Sequence, residues 1–154
     1  MAATVVHYEA PGWGVGELRL EDGRPVWHEL PRPVRRGPQF GSHPLTNRLV
    51  AYFAGEEVKF DDVEIRLDEE TELGRRLAAA LRQIPRGELV TYGELAALAG
   101  RPGAARAAGS FCARNSFPIF VPCHRVVAVA GLGGYGSLGL EYKRRLLRLE
   151  GVDL

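Results

Sequence analysis

At 154 residues, with 45% hydrophobic and 25% charged side chains, the chain can bury one good core and a small satellite lobe, which excludes a disordered or fibrous protein. The formal net charge is only +1, and no apolar run is long enough to predict a membrane span. The opening residues, MAATVVHYEAPGW, lack a basic stretch followed by an apolar core and a small-residue cleavage site, so a cytoplasmic location is expected.

Charge is unevenly placed. Met1 to Arg66 holds 8 basic and 10 acidic residues, a net of −2, whereas Gly74 to Arg148 holds 12 basic and 3 acidic residues, a net of +9. Such a segment fits a polyanion partner or a solvated basic face about equally. Of the 20 basic residues 18 are Arg, which suits a heat-adapted source or a GC-rich genome equally. The two cysteines, Cys112 and Cys123, form no disulfide framework, and His7, His28, His43 and His124 are scattered, so no metal site is predicted.

In chain order, VVHYEA, GELRLE and PVWHEL read as short strands separated by the turn-forming PGWG and EDGR. PRPVRRGPQFGSHP reads as a loop or linker. LTNRLVAYFAGEE carries Leu45, Leu49, Val50, Tyr52 and Phe53 on one helical face ending at Gly55, and VKFDDVEIRL returns to a strand-like or extended segment. A boundary near Asp68 divides an N-terminal α/β lobe, 1–67, from a mainly helical C-terminal domain, 68–154, giving an α+β protein.

ELGRRLAAALRQI places Leu73, Leu77, Ala80, Leu81 and Ile84 on one face and stops at Pro85. TYGELAALAG opens with Thr91 and Glu94 at capping-box spacing and closes at Gly100. PGAARAAGSFCARN follows a tight turn, so the pair outlines a helix-turn-helix. Its second helix surrounds a single Arg106 with Ala104, Ala105, Ala107, Ala108 and Gly109, small enough for close approach to another helix or to a nucleic-acid groove. AGLGGYGSLG is a glycine-rich loop without the strand and helix context of a dinucleotide or phosphate site. LEYKRRLLRLEG closes the chain as a helix with Leu140, Leu146, Leu147 and Leu149 inward and a basic outer face.

The chemistry centres on NSFPIFVPCHRVVAV, which sets Cys123 beside His124 in an apolar run. A free thiol needs its proton removed before it is a nucleophile. Adjacent side chains usually diverge, so a water between Cys123 and His124 is the more plausible route, with Glu150 as an orienting carboxylate. The residues alone leave a buried, inert cysteine as the alternative. Arg125 is expected to pin the turn by structural pairing.

PCHRVV after NSFPIFV resembles the active-site signature of the O6-alkylguanine-DNA alkyltransferases, the methylated-DNA–protein-cysteine methyltransferases. The resemblance extends through IPRGELVTYGELAALAGRPGAARAAG and GGYGSLGLEYKRRLLRLEG, is near complete from Leu45 onward and is faint before it. It implies single-turnover transfer of an alkyl group from O6 of guanine, and from O4 of thymine, to Cys123. His124 is then the base acting through water, Glu150 orients it, Asn115 links the recognition helix to the active-site turn, and Tyr92 contacts the extruded base. Val126 lends a backbone amide to the pocket, and Tyr135, Gly136 and Ser137 form the loop over the guanine. Arg106 fills the space the base leaves, while Ala104, Ala105, Ala107 and Gly109 allow approach to the minor groove of double-stranded DNA. A monomer without cofactor or membrane partner is implied.

The chain departs from the family pattern in several places. A Phe-Gln pair common in relatives is missing from ELGRRLAAAL, the Gly134–Gly139 loop is spaced differently, and the cysteines of the zinc site that some relatives carry in the N-terminal lobe are absent. Cys112 reads as packing, with a redox partnership to Cys123 as its alternative. Other readings of the whole chain are a non-catalytic alkyltransferase-like damage sensor, which lacks the acceptor cysteine, a helix-turn-helix regulator, which needs base-reading side chains on its second helix, and a cysteine hydrolase, which turns over.

Overall fold

The computed structural model describes residues 4–33 and 41–154. The chain divides into two compact units: residues up to Arg66 together with Ser116–Pro118, and Leu67–Asn115 together with Ile119–Leu154. Residues 34–40 of the expected loop from Pro31 to Pro44 lie outside the described residues, while Pro31 and Arg32 belong to the third strand and Pro44 opens the first helix. None of the described helices is long and apolar enough to cross a membrane.

The first unit is a three-stranded antiparallel meander, β1 (Thr4–Ala10), β2 (Gly14–Glu21) and β3 (Arg24–Arg32), carrying helix α1 (Pro44–Phe53). Alternation does what the sequence pattern requires: Val6, Tyr8 and Ala10 on β1 and Leu18 and Leu20 on β2 point into one buried layer. Asp22 and Gly23, both at positive φ, close the β2–β3 hairpin. Helix α1 brings Leu45, Leu49, Tyr52 and Phe53 into the core, and the Trp13 indole donates to the Phe53 carbonyl at 3.1 Å.

VKFDDVEIRL forms no strand. Phe60 and Val63 are buried three residues apart on a turning segment, the Tyr52 and Phe60 rings meet edge-on at 6.1 Å, and outer residues are tied by Arg48–Asp62 at 2.7 Å and Arg24–Glu64 at 2.9 Å. Its apolar content reflects anchoring to the core, not pairing in the sheet.

The second unit contains α2 (Glu72–Arg82), α3 (Tyr92–Leu98), α4 (Ala105–Ala113) and α5 (Gly139–Leu149). A two-residue parallel pair, β4 (Val90–Thr91) and β5 (Val126–Val127), is too short to leave a sequence signature. Leu77, Ala78, Leu81, Leu95, Ala108, Phe111, Val126, Leu146 and Leu147 make its core. The Thr91–Glu94 capping box forms in both directions, at 2.8 and 3.1 Å. Together the units have the expected α+β plan, a small antiparallel sheet followed by helices.

Helix α5 differs from its expected pattern at two positions. Leu140 is 41% exposed, whereas Lys143, assigned to the outer basic face, is fully buried. The reason lies in what its ammonium finds inside.

Candidate active site

Cys123, His124 and Arg125 occupy a short 3-10 turn that follows Pro122 and runs into β5. The turn closes through the Cys123 amide to the Val121 carbonyl at 2.8 Å and the Arg125 amide to the Pro122 carbonyl at 3.0 Å. Four residues upstream of the thiol, Ile119 holds φ at 75°, a left-handed conformation that a β-branched side chain resists at a cost of about 1–3 kcal/mol. The segment is therefore held in shape by its partners.

Asn115 is one such partner. Its side-chain amide donates to the Val121 carbonyl at 2.8 Å and to Cys123 Sγ at 3.2 Å, closing the loop at its base. Arg125 grips Glu150 with both prongs at 2.9 Å and donates its third nitrogen to the Ile84 carbonyl at 2.7 Å, so it does pin the turn by pairing. Glu150, the residue at which α5 ends, also accepts from His124 Nε2 at 2.8 Å.

These contacts fix the chemistry of the imidazole. Burial disfavours the charged form of Glu150, but the hydrogen bonds and charges of His124 and Arg125 outweigh it and hold the carboxyl well below its usual range. A carboxylate only accepts, so His124 must carry its proton on Nε2. Nδ1 is then the basic nitrogen, and it is buried without a hydrogen-bond partner among the described residues. Burial also holds the His124 pKa below its ordinary value against the pull of Glu150, so the ring is neutral at pH 7. A neutral, oriented ring with one open acceptor is equipped to take a proton.

Cys123 is 5% exposed, and burial pushes its thiol up, while the Asn115 amide and the Lys143 ammonium pull the other way. The resting thiol is protonated and needs a base. Cys112, half-buried on α4, is pushed up to about 12 by burial and by the Cys123 charge, which makes it a poor nucleophile.

Lys143 is a residue of this site that the sequence reading missed. Its Nζ donates to the carbonyls of Val126 at 2.6 Å, Leu132 at 2.5 Å and Gly134 at 3.0 Å, using all three donors of an ammonium. It lies 5.9 Å from the Tyr92 ring centroid. A signal was present: between Gly74 and Arg148 it is the single Lys among 11 Arg. A flat guanidinium is the wrong shape for three converging carbonyls.

Tyr92 opens α3 and is half-buried. Its phenol oxygen accepts from the Gly134 amide at 3.4 Å, leaving its own hydrogen available to donate. Burial raises its pKa, the Gly134 amide opposes this, and the two thiols add to the rise. Gly133 makes the approach possible, because a Cβ there would lie 2.6 Å from the phenol oxygen. The same loop continues to Tyr135, whose ring stacks on Tyr142 at 6.4 Å, and to exposed Gly136 and Ser137 in a second short 3-10 turn.

Two hydrogen-bonded pairs, Asn115–Cys123 and His124–Glu150, thus meet on adjacent residues of one turn, and Lys143 ties Val126 and the glycine-rich loop beside Tyr92. The helix-turn-helix residues stand apart from these bonds. Arg106 and Ala105 are exposed on α4, Ala107 and Gly109 are half-buried, and Ala104 is the residue before its first turn. A Cβ on Gly109 would touch the Tyr92 ring at 3.9 Å, which places α4 beside that side chain. No group of three or more metal-binding side chains occurs among the described residues.

Residues 72–152 match the family model described as 6-O-methylguanine DNA methyltransferase, DNA binding domain. A methylated-DNA–protein-cysteine methyltransferase of Methanopyrus kandleri is 48% identical over 110 residues, spanning 71% of this chain and 81% of that protein. One from Mycolicibacterium paratuberculosis is 44% identical over 131 residues, covering 84% and 73%. A crystal structure of Mycobacterium tuberculosis OGT in complex with DNA superposes with a TM-score of 0.79 at 36% identity, over 96% of this chain and 92% of that one.

Proposed function

Because the chain belongs to the 6-O-methylguanine DNA methyltransferase family, we propose that it repairs alkylated DNA by moving the alkyl group from O6 of guanine, and from O4 of thymine, onto Cys123. The observation that carries this reading is the buried chain from the acceptor turn through His124 to Glu150, with its basic nitrogen still open. The C-terminal domain, 68–154, serves for alkyl transfer and DNA binding, and the N-terminal lobe, 1–67, as scaffold.

In the reaction, His124 Nδ1 takes the thiol proton through a bridging water, and Glu150 and Arg125 keep the ring in the required tautomer. The Cys123 thiolate attacks the alkyl carbon, the S–C bond forms as the C–O6 bond breaks, and the electron pair leaves with the guanine. The Tyr92 hydroxyl donates to the departing base. Lys143 stabilises the thiolate and holds the loop of Tyr135, Gly136 and Ser137 in place, while the Val126 backbone lines the pocket. A thioether has no leaving route at this site, so each molecule acts once.

An alkylated base inside a duplex is out of reach of a buried thiol, so the nucleotide is flipped out. The bare face of α4, with Ala104, Ala105, Ala107 and Gly109, suits shallow approach to the minor groove, and exposed Arg106 fills the gap in the stack. The protein acts as a monomer in the cytoplasm without a cofactor. A damage sensor has no use for an acceptor cysteine, and its presence here favours transfer.

The test is a short duplex carrying O6-methylguanine. Intact mass should show one added methylene on Cys123, reaching a plateau at one equivalent. Multiple turnovers, or the same shift in Cys123→Ser, overturn the reading. Arg106→Ala should slow repair of duplex more than of single-stranded substrate.

A further inference from the structure

The loop from Asn115 to Cys123 is tied twice. Asn115 closes its base, as described. Its middle, Ser116–Pro118, leaves the second unit and belongs to the first, where one residue of β3 receives it. The His28 amide donates to the Ser116 carbonyl at 2.9 Å, and the His28 ring, through Nδ1, meets the Pro118 carbonyl at 2.7 Å. His28 is 2% exposed.

The ring's proton positions are again determined by its partners. The Pro118 carbonyl only accepts, so Nδ1 carries the hydrogen and Nε2 is the acceptor. Tyr8 supplies the donor, its hydroxyl 2.6 Å from Nε2. Tyr8 reaches across its strand partner Gly16, where a Cβ would lie 2.3 Å from the phenol ring. Burial drives the imidazole pKa down to about 4, so the single neutral tautomer persists at neutral pH. Three residues of the sheet thus fix one carbonyl, and the next residue along is Ile119 at φ 75°.

We propose that His28, acting through the Pro118 carbonyl, is a positioning residue for the acceptor thiol, with Tyr8 fixing its tautomer. The inference rests on the alkyl-transfer reading. In-line displacement needs the sulfur aligned with the breaking C–O bond, and small misplacements of a reacting atom cost rate steeply. A carbonyl five residues before Cys123, held against a strained Ile119, sets where the 3-10 turn begins.

A single-turnover acceptor permits a clean test, because the end point counts folded molecules and the rate reports positioning. Excess O6-methylguanine duplex is mixed with wild type, His28→Leu and His28→Asn, with binding to an unmodified duplex measured alongside. The Asn amide nitrogen sits where Nδ1 does and still donates to Pro118. His28→Leu should reach the same end point per folded molecule, with unchanged affinity for DNA but a transfer rate lower by about tenfold or more. His28→Asn should stay within about threefold of wild type. A His28→Leu rate equal to wild type, or equal slowing in both variants, overturns the role of His28. Should His28→Leu not fold, His28→Gln replaces it, since its amide reaches toward the Nε2 position and away from Pro118; equal rates for Gln and Asn then overturn the proposal. A wild type that stays unmethylated overturns the alkyl-transfer reading itself.

Discussion

Two histidines lie sealed in the two units, His28 at 2% and His124 at 0% exposure, and burial depresses the pKa of both. In the first unit both ring nitrogens are satisfied, by a phenol and a main-chain carbonyl. In the second, one nitrogen is held by a carboxylate and the other has no partner among the described residues. A saturated ring is a fastener, because moving its proton breaks a bond. A ring saturated on one side alone has a definite tautomer and a site for a proton. What the second nitrogen meets therefore decides whether the same side chain can only fasten or can also take a proton.

Glu150→Gln attacks this contrast most strongly. It removes the negative charge that orients His124, sets an amide N–H against one of the facing donors and leaves the partly buried Arg125 guanidinium without its counter-charge, a loss of about 3–5 kcal/mol. Transfer in molecules that remain folded should slow by about a hundredfold or more. Chemical denaturation and single-turnover kinetics measure the two losses separately.

The pH dependence of stability comes next. The unfolded imidazole of His28 takes a proton near pH 6.5 and the folded one only near 4. Between those values the unfolded chain binds more protons, so the contribution is complete above pH 6.5 and is lost as pH falls toward 4. The loss is roughly 3 kcal/mol. His124 adds to the same window, whereas Glu150, with its depressed carboxyl, contributes stability that falls away only below the ordinary carboxylate value of 4.5. Unfolding of wild type and His28→Asn from pH 7 to 4 isolates the His28 share, and parallel curves would remove it.

Tyr8→Phe has the smallest expected effect. It leaves His28 Nε2 without its hydroxyl donor and makes that ring resemble His124, at a cost of roughly 1–2 kcal/mol in stability. The bond to Pro118 survives, so the transfer rate should change by less than about twofold. A large rate loss would show that the phenol does more than fix a tautomer.

Much of the fold was legible because it is written in local periods. The alternation in VVHYEA, the Asp-Gly turn and the Thr91–Glu94 cap each act within a few residues. The segment around Phe60 and Val63 reads as strand-like or extended, and only the strand half fails, because two buried apolar residues flanking a turn mimic a strand's apolar content. The active site was less legible: Cys123 beside His124 invited attention, and triad logic offered Glu150 as the orienting carboxylate, but a 26-residue separation from His124 gives that link little weight until the family resemblance adds to it. Lys143 escaped because its helical neighbours are Arg144 and Arg145, and composition around a residue does not show which way it faces. The 90-residue separation of His28 from Pro118 has no local trace at all.

The grip of Lys143 on the glycine-rich loop has one more consequence. Its ammonium holds main-chain oxygens of Val126, Leu132 and Gly134, and so is indifferent to most side chains the loop displays. The loop's glycines are the exceptions: Tyr92 fills the space a side chain on Gly133 would need, and Gly136 and Gly139 hold positive φ. Shape and surface are thereby separable over part of this loop: side chains at Tyr135 and Ser137 can be exchanged while the main chain beneath keeps its course.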